Sequence, residues 1–314
     1  MDGRRAAPRR VPADAVTEPK PSAFRSGIVA VVGRPNVGKS TLVNALVGEK
    51  VAIVSDKPQT TRADIRAILS TDEAQIVFTD TPGFHKPRTL LGSRLNELVA
   101  DAVDGVDLVI LVVDGSAGVG RGDAFVYERQ VAAAQGARFC VVNKEDAFSH
   151  AKMIPQLARA QALGAWDEIV PVSAARGDGV DRLRELILAR MPEGPPLFPV
   201  DEVTDQPLET RVAELIREQA LRVTREEVPH SVAIEIDEME REGDLTRIHA
   251  SIVVERDSQK GILIGKGGAT LKSIGTEARA GIVRLLGTKV YLDLHVKVLK
   301  EWQRDPKALN RLGY

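Results

Sequence analysis

The stretch Gly33-Arg34-Pro35-Asn36-Val37-Gly38-Lys39-Ser40 fits G-x-x-x-x-G-K-[ST], the pattern of a phosphate-binding P-loop. An apolar run at residues 28–32 precedes it and reads as a buried strand, and residues 41–47 read as the helix that follows. Strand, tight turn and helix together are what phosphate binding needs. Gly33, Arg34, Pro35, Asn36, Val37 and Gly38 turn backbone N–H groups around the anion. The helix, entered through Lys39, Ser40 and Thr41, adds its positive end. Lys39 is placed to reach the β- and γ-phosphates, and the Ser40 hydroxyl to ligate Mg²⁺.

Outward from this loop, strand-like runs recur at residues 65–69, 76–79, 108–113, 139–142 and 169–171. Helical patterns separate most of them, at 92–103, 123–135 and 180–190. Such alternation predicts an α/β domain over residues 26–190, a mostly parallel sheet flanked by helices. Residues 70–75 are too few for a helical crossover, so the runs on either side should pair as an antiparallel hairpin at the sheet edge. The chain's 314 residues leave room for a second domain. With 28% charged residues, 43% hydrophobic residues and a net charge of −1, the whole-chain balance announces no polyanionic partner. The one cysteine, Cys140, cannot form an internal disulfide and sits in an apolar run, as a buried thiol would. Residues 1–25 mix Arg4, Arg5, Arg9 and Arg10 with four prolines and carry no apolar core of a secretory signal. They read as a disordered basic tail.

A P-loop alone does not choose the base. Asn143-Lys144-Glu145-Asp146 ends an apolar run and fits N-K-x-D. A carboxylate at Asp146 accepts two hydrogen bonds from guanine's N1–H and exocyclic amine, a donor pair that adenine lacks. Ser173-Ala174-Ala175, after the next strand, offers a backbone N–H to the base carbonyl. Asp80-Thr81-Pro82-Gly83 follows the run at 76–79: Asp80 would hold Mg²⁺ and the Gly83 N–H would meet the γ-phosphate. Between lies Lys57-Pro58-Gln59-Thr60-Thr61-Arg62, a mobile polar segment from which Thr61, chosen over Thr60, would complete the Mg²⁺ shell. Phe84 stands where many GTPases carry a water-orienting glutamine, so hydrolysis needs another group or a monovalent cation, for which Asn36 is the candidate ligand, K⁺ the candidate ion. Asn36 reads equally well as a residue that only shapes the loop.

Residues 191–206, dense in proline and acid, read as a semi-rigid linker that keeps two sites apart. Residues 207–314 then give helix, strand, strand, helix, helix, strand, with Gly265-Lys266-Gly267-Gly268 between the middle helices. That order is the smaller α+β KH domain. Its glycines let a nucleic-acid backbone approach, Ile262 and Ile264 lie under splayed bases, and Lys266 and Lys272 meet phosphates. From Lys260 onward eleven Lys or Arg residues face four Asp or Glu residues, the local excess a phosphate-tracking groove requires.

With both halves read, the chain resembles the Era family of bacterial GTPases. The resemblance runs over nearly all of residues 26–314, through GRPNVGKS, PQTTR, DTPG, NKED, SAA and QKGILIGKGG. It implies a cytoplasmic, monomeric GTPase that uses GTP/GDP and Mg²⁺ and assists small ribosomal subunit assembly. It also implies binding of single-stranded RNA near the 3′ end of small-subunit rRNA, and some peripheral association with the inner face of the cell membrane. Two other classes are weighed against it. A pure RNA-binding module with a structural P-loop is opposed by Lys39, Ser40, Asp80 and Asp146 together. A metabolic ATPase or kinase is opposed by Asn143-Lys144-x-Asp146.

Overall fold

The computed structural model describes residues 23–57, 59–83, 87, 89–224 and 228–314. The tail reading (apart from residues 23–25), Pro58 and Phe84 therefore lie outside the described residues.

β1 (Arg25–Val32) enters the P-loop, and α1 (Lys39–Val47) leaves it. Then come β2 (Ile65–Ser70), β3 (Ala74–Asp80), α2 (Leu90–Asp101), β4 (Leu108–Asp114) and α3 (Arg121–Val126). β5 (Ala137–Asn143), α4 (His150–Gln161), β6 (Glu168–Pro171) and α5 (Val180–Arg190) complete the first domain. The sheet order is β2-β3-β1-β4-β5-β6, with only β2 antiparallel, as the three-residue connection at 71–73 requires. β1 has β3 on one side and β4 on the other, so the P-loop leaves the sheet at its topological switch point. The last four residues of β1 are fully buried because the strand feeds two cores: Val29 and Val31 pack towards α1 and α5, Ala30 and Val32 towards the opposite face.

The helical pattern at 123–135 is shorter and broken. α3 ends at Val126 and a π-turn follows over Tyr127–Val131. The wider turn sets the Tyr127 ring edge-on to Trp166 at 5.0 Å, and its hydroxyl accepts the Ala165 N–H at 3.0 Å.

The second domain contains α6 (Leu208–Val223), α7 (Val228–Ser231), β7 (Ala233–Glu242), β8 (Leu245–Val254), α8 (Asp257–Ile264), α9 (Ala269–Leu286), β9 (Lys289–Val298) and α10 (Pro306–Arg311). Its sheet runs β7-β8-β9, and α6 and α9 cover one face with Val212, Ile216, Ile274 and Ile282.

The expected linker is not a spacer. Gln75, fully buried on β3, accepts the N–H groups of Leu197 and Phe198 at 2.7 and 2.8 Å and donates to the Phe198 carbonyl at 2.9 Å. Ile68 N–H donates to the Val203 carbonyl at 2.9 Å. The strap thus runs along the sheet edge. Beyond it the domains pack directly: Leu91 and Leu95 of α2 share an apolar cluster with Ala233, Val253, Trp302 and Leu309. The expectation of two separated sites is corrected here. An apolar stripe on α2 that finds no cover in its own domain is buried against the other one.

Candidate nucleotide site and RNA groove

Gly38 precedes α1 at φ 97°, where a side chain would be strained and its Cβ would strike Asn143 Nδ2. That nitrogen instead donates to the Val37 carbonyl at 2.9 Å, and Asn143 Oδ1 accepts the Ala174 N–H at 3.0 Å. Asn143 is therefore a brace tying the P-loop to the Ser173–Ala175 turn, 2% exposed, rather than a base contact. Ser173 N–H is spent on the Asp178 carbonyl. Ala174 N–H is committed too, and of the three residues only Ala175 is exposed. Ser173 acts through its hydroxyl, donated to Asp146 Oδ1 at 2.6 Å. Asp146 itself is exposed, so its other oxygen faces the space a base would fill.

Lys144 sits at φ 66° and donates from Nζ to the Asn36 carbonyl at 2.7 Å and to Asp114 Oδ2 at 2.6 Å. Burial works against the Asp114 carboxylate, but Lys144, the Ser116 hydroxyl and the Ala117 N–H outweigh it and hold its pKa below the usual value. Arg34 enters the site only through its backbone: its guanidinium pairs with buried Asp123 at 2.7 Å, away from the phosphates. Asn36, at φ 64°, donates to the Asp56 carbonyl at 2.7 Å and so shapes the loop. Pro35 packs so closely on Gly83 that a Cβ there would lie 2.8 Å from the proline backbone.

Three predicted metal ligands converge. Ser40 Oγ donates to Asp80 Oδ2 at 2.6 Å, lies 2.9 Å from Thr61 Oγ1, and Thr61 Oγ1 reaches the same carboxylate oxygen at 3.3 Å. Asp80 is fully buried and its Oδ1 has no partner. Burial raises its pKa; the hydroxyls and Lys39 oppose that. An orphaned buried carboxylate oxygen among hydroxyls is a hard-oxygen donor set, and it fits Mg²⁺.

Lys39 is buried, donating to the Gly33 and Arg34 carbonyls at 3.0 and 3.1 Å. Desolvation lowers its pKa to about 8, with Asp80 pulling the other way. Bound phosphates favour the ammonium, so above pH 8 binding must take up a proton. We expect GTP affinity to fall between pH 8 and 9, with net proton uptake measured by calorimetry in buffers of different ionisation enthalpy. No uptake at pH 9 would show that Lys39 does not face the phosphates.

In the second domain, α8 ends at Gly265, whose φ of 72° leaves the helical region, and a Cβ there would run into the Thr270 side chain. Lys266 and Gly267 are exposed at the turn. The apolar run splits: Ile262 is 51% exposed, whereas Leu263 is in the core and Ile264 packs against it. A groove of about 650 Å³ lies between α9 and β9. Of the predicted RNA contacts, Gly268 and Lys272 line it; Ile262, Ile264, Gly265, Lys266 and Gly267 do not.

Residues 28–144 match the family described as 50S ribosome-binding GTPase, and residues 227–303 match the KH domain family. The chain is 52% identical to GTPase Era of Mycobacterium sp. (strain KMS), over 93% of this chain and all of that one. It is 53% identical to GTPase Era of Mycobacterium tuberculosis (strain ATCC 25177 / H37Ra), over 93% and 99%. The chain belongs to the Era family. Era from Aquifex aeolicus, the Y63A variant bound to GDP·AlF₄⁻, superposes with a TM-score of 0.89 at 38% identity, covering 93% of this chain and 99% of that one. Era in complex with MgGDPNP and nucleotides 1506–1542 of 16S ribosomal RNA gives 0.88 at 39%, with the same coverage.

As an Era-family member the chain is a GTPase with a KH domain, and the sequence reading missed several groups in both sites. Asp114, which orients Lys144, closes an ordinary apolar strand and carries no local signal. Arg279 and Tyr291 line the groove from α9 and β9. Tyr291 is 48% exposed with Arg247 over its ring at 5.8 Å, and an aromatic on an exposed strand was the available hint.

Proposed function

We propose that this chain is a GTP-hydrolysing switch that binds single-stranded RNA through its KH domain, takes the 3′ region of small-subunit rRNA, and assists small ribosomal subunit assembly. The structurally similar Era bound to a 16S rRNA fragment supports the choice of RNA. One observation carries the switch. Val54, Ser55, Gln59, Thr60 and Thr61 wall the nucleotide cleft, and the backbone of Val54 and Thr60 is at the same time held by the KH domain. Glu218 Oε1 accepts the Val54 N–H at 3.1 Å and Arg217 donates to the Thr60 carbonyl.

Mg²⁺, when bound, neutralises charge on the β- and γ-phosphates. Ser40, Thr61 and Asp80 would hold it, Lys39 meets the phosphates, Gly83 N–H meets the γ-phosphate, and Asp146 reads the guanine. K⁺ belongs to the same proposal: Asn36 commits its amide nitrogen to Asp56, so its amide oxygen is the atom a cation would use. Replacing K⁺ by Na⁺ should then slow turnover in the parent and much less in Asn36→Ala. A cytoplasmic monomer with peripheral contact to the inner membrane face completes the reading; among the described residues no helix is long and apolar enough to cross a membrane.

The test titrates a labelled single-stranded fragment of the small-subunit rRNA 3′ end, with a GTP analogue or GDP bound. RNA affinity should differ between the two states, and RNA should shift nucleotide affinity by the same factor. Equal affinities would remove the switch. Lys266→Asp with Gly267→Asp puts two carboxylates where phosphates approach and should weaken RNA binding at least about tenfold. GTP affinity without RNA should not change. Full RNA binding by that variant would reduce the Gly265–Gly268 turn to a helix connection.

A further inference from the structure

Arg62 is the residue after the proposed Mg²⁺ ligand Thr61, it belongs to the first domain, and it is 2% exposed. Among the described residues its guanidinium is held by the second domain. Nη1 donates to the Val232 carbonyl at 2.6 Å, and Nη2 donates to the carbonyls of His230 and Pro229 at 2.8 and 3.2 Å. The same group lies 5.8 Å from the ring centroids of both Trp302 and Tyr314, which stack on each other at 5.7 Å. Trp302 Nε1 donates to the Ser231 carbonyl at 3.0 Å, locking the ring to the end of α7 that holds the guanidinium. Three carbonyls and an aromatic pair form a socket for a planar, permanently charged group.

The socket has a cost and a direction. Arg62 Nε is buried without a hydrogen-bond partner, a desolvation cost that the three carbonyl bonds and the ring contacts offset. What it fixes is the adjacent backbone, since consecutive Cα atoms lie about 3.8 Å apart. Thr61 is thereby set with Oγ1 2.9 Å from Ser40 Oγ. A side chain anchored in one domain thus sets a metal-ligand hydroxyl in the other.

We propose that Arg62 is a positioning residue for GTP hydrolysis, through which the docked KH domain holds Thr61 at the Mg²⁺ cluster. This rests on Thr61 being an Mg²⁺ ligand, as argued above. The KH domain then does more than bind RNA: its seated position completes the hydrolytic site, and any RNA-driven shift of α7 or Trp302 reaches Thr61 through one side chain.

The test uses the full chain and compares the parent with Arg62→Lys, Thr61→Ala, the double variant and Trp302→Leu. Lysine keeps the charge but reaches fewer of the three carbonyls and loses the flat ring contact. Arg62→Lys should lower kcat about tenfold with KM for GTP within about twofold, leave GDP affinity unchanged, and raise the Mg²⁺ needed for half-maximal rate. Trp302→Leu, outside the nucleotide cleft, should reproduce that signature. In the Thr61→Ala background, adding Arg62→Lys should change kcat no further. Unchanged kcat in Arg62→Lys, or additive losses in the double variant, overturns the proposal. So does a parallel fall in kcat and GDP affinity, which a general loss of fold would give. If Thr61→Ala alone leaves kcat and Mg²⁺ dependence intact, the assignment of Thr61 fails first, and the role of Arg62 falls with it.

Discussion

Asp146→Asn should weaken GTP binding about a hundredfold, or about 2.7 kcal/mol, and should improve binding of xanthosine triphosphate. The geometry makes this a clean exchange. Asp146 Oδ1 accepts the Ser173 hydroxyl at 2.6 Å, and an asparagine can keep that bond through its own carbonyl oxygen. The other oxygen becomes an amide donor. Guanine would meet donor against donor at its exocyclic amine, whereas xanthine presents a carbonyl there. The brace through Asn143 is untouched, so the loop should stay in place. Equilibrium titration with both labelled nucleotides measures the exchange, and unchanged GTP affinity would leave Asp146 as a surface residue of its turn.

Asp80→Asn should separate stability from turnover. The carboxylate is fully buried and one of its oxygens has no partner, so its ionised form is costly in the folded, metal-free protein. Its folded pKa lies above the unfolded value of 3.8. As pH rises from 3.8 through that folded value, the unfolded chain releases its proton first and stability falls. Above the folded pKa the penalty is complete. The amide removes it, so the metal-free protein should melt a few degrees higher at pH 7. Mg²⁺-dependent kcat should meanwhile fall at least about a hundredfold, because a neutral amide replaces the one anionic ligand of the cluster. A variant that is less stable and still hydrolyses GTP would place the metal elsewhere.

Much of the first domain was legible because its signals are local. The P-loop lies between a strand and a helix in sequence as in space, and the short connection between β2 and β3 allows only a hairpin. Asp146 and the Ser40–Thr61–Asp80 set follow from motif spacing. Gly265 was legible because its turn demands a backbone that few residues adopt. The domain interface was not legible. Leu91 and Leu95 show only that α2 has an apolar stripe, and nothing in the stripe says which domain covers it. Arg62 looks like one more polar residue in a mobile segment, and its partners are backbone carbonyls more than 160 positions away, which carry no side-chain signature. The linker misled for a related reason. Proline and acid describe a chain that forms no regular element, yet Gln75 captures its backbone, and backbone has no composition.

That capture also settles how the sheet ends. β2 is an outer strand, and an outer strand with bare N–H and C=O groups is a template on which other chains can pair and aggregate. Here Val203 takes the Ile68 N–H, and Arg66 pairs with Asp205 at 3.1 Å, so the passing segment serves as a selvedge for the sheet. A fragment cut after Arg190 would bare that strand and strip Gln75 of its bonds to Leu197 and Phe198, leaving it only the Ser70 hydroxyl, and it should self-associate. Cut after Gln206, the same domain would keep its hem.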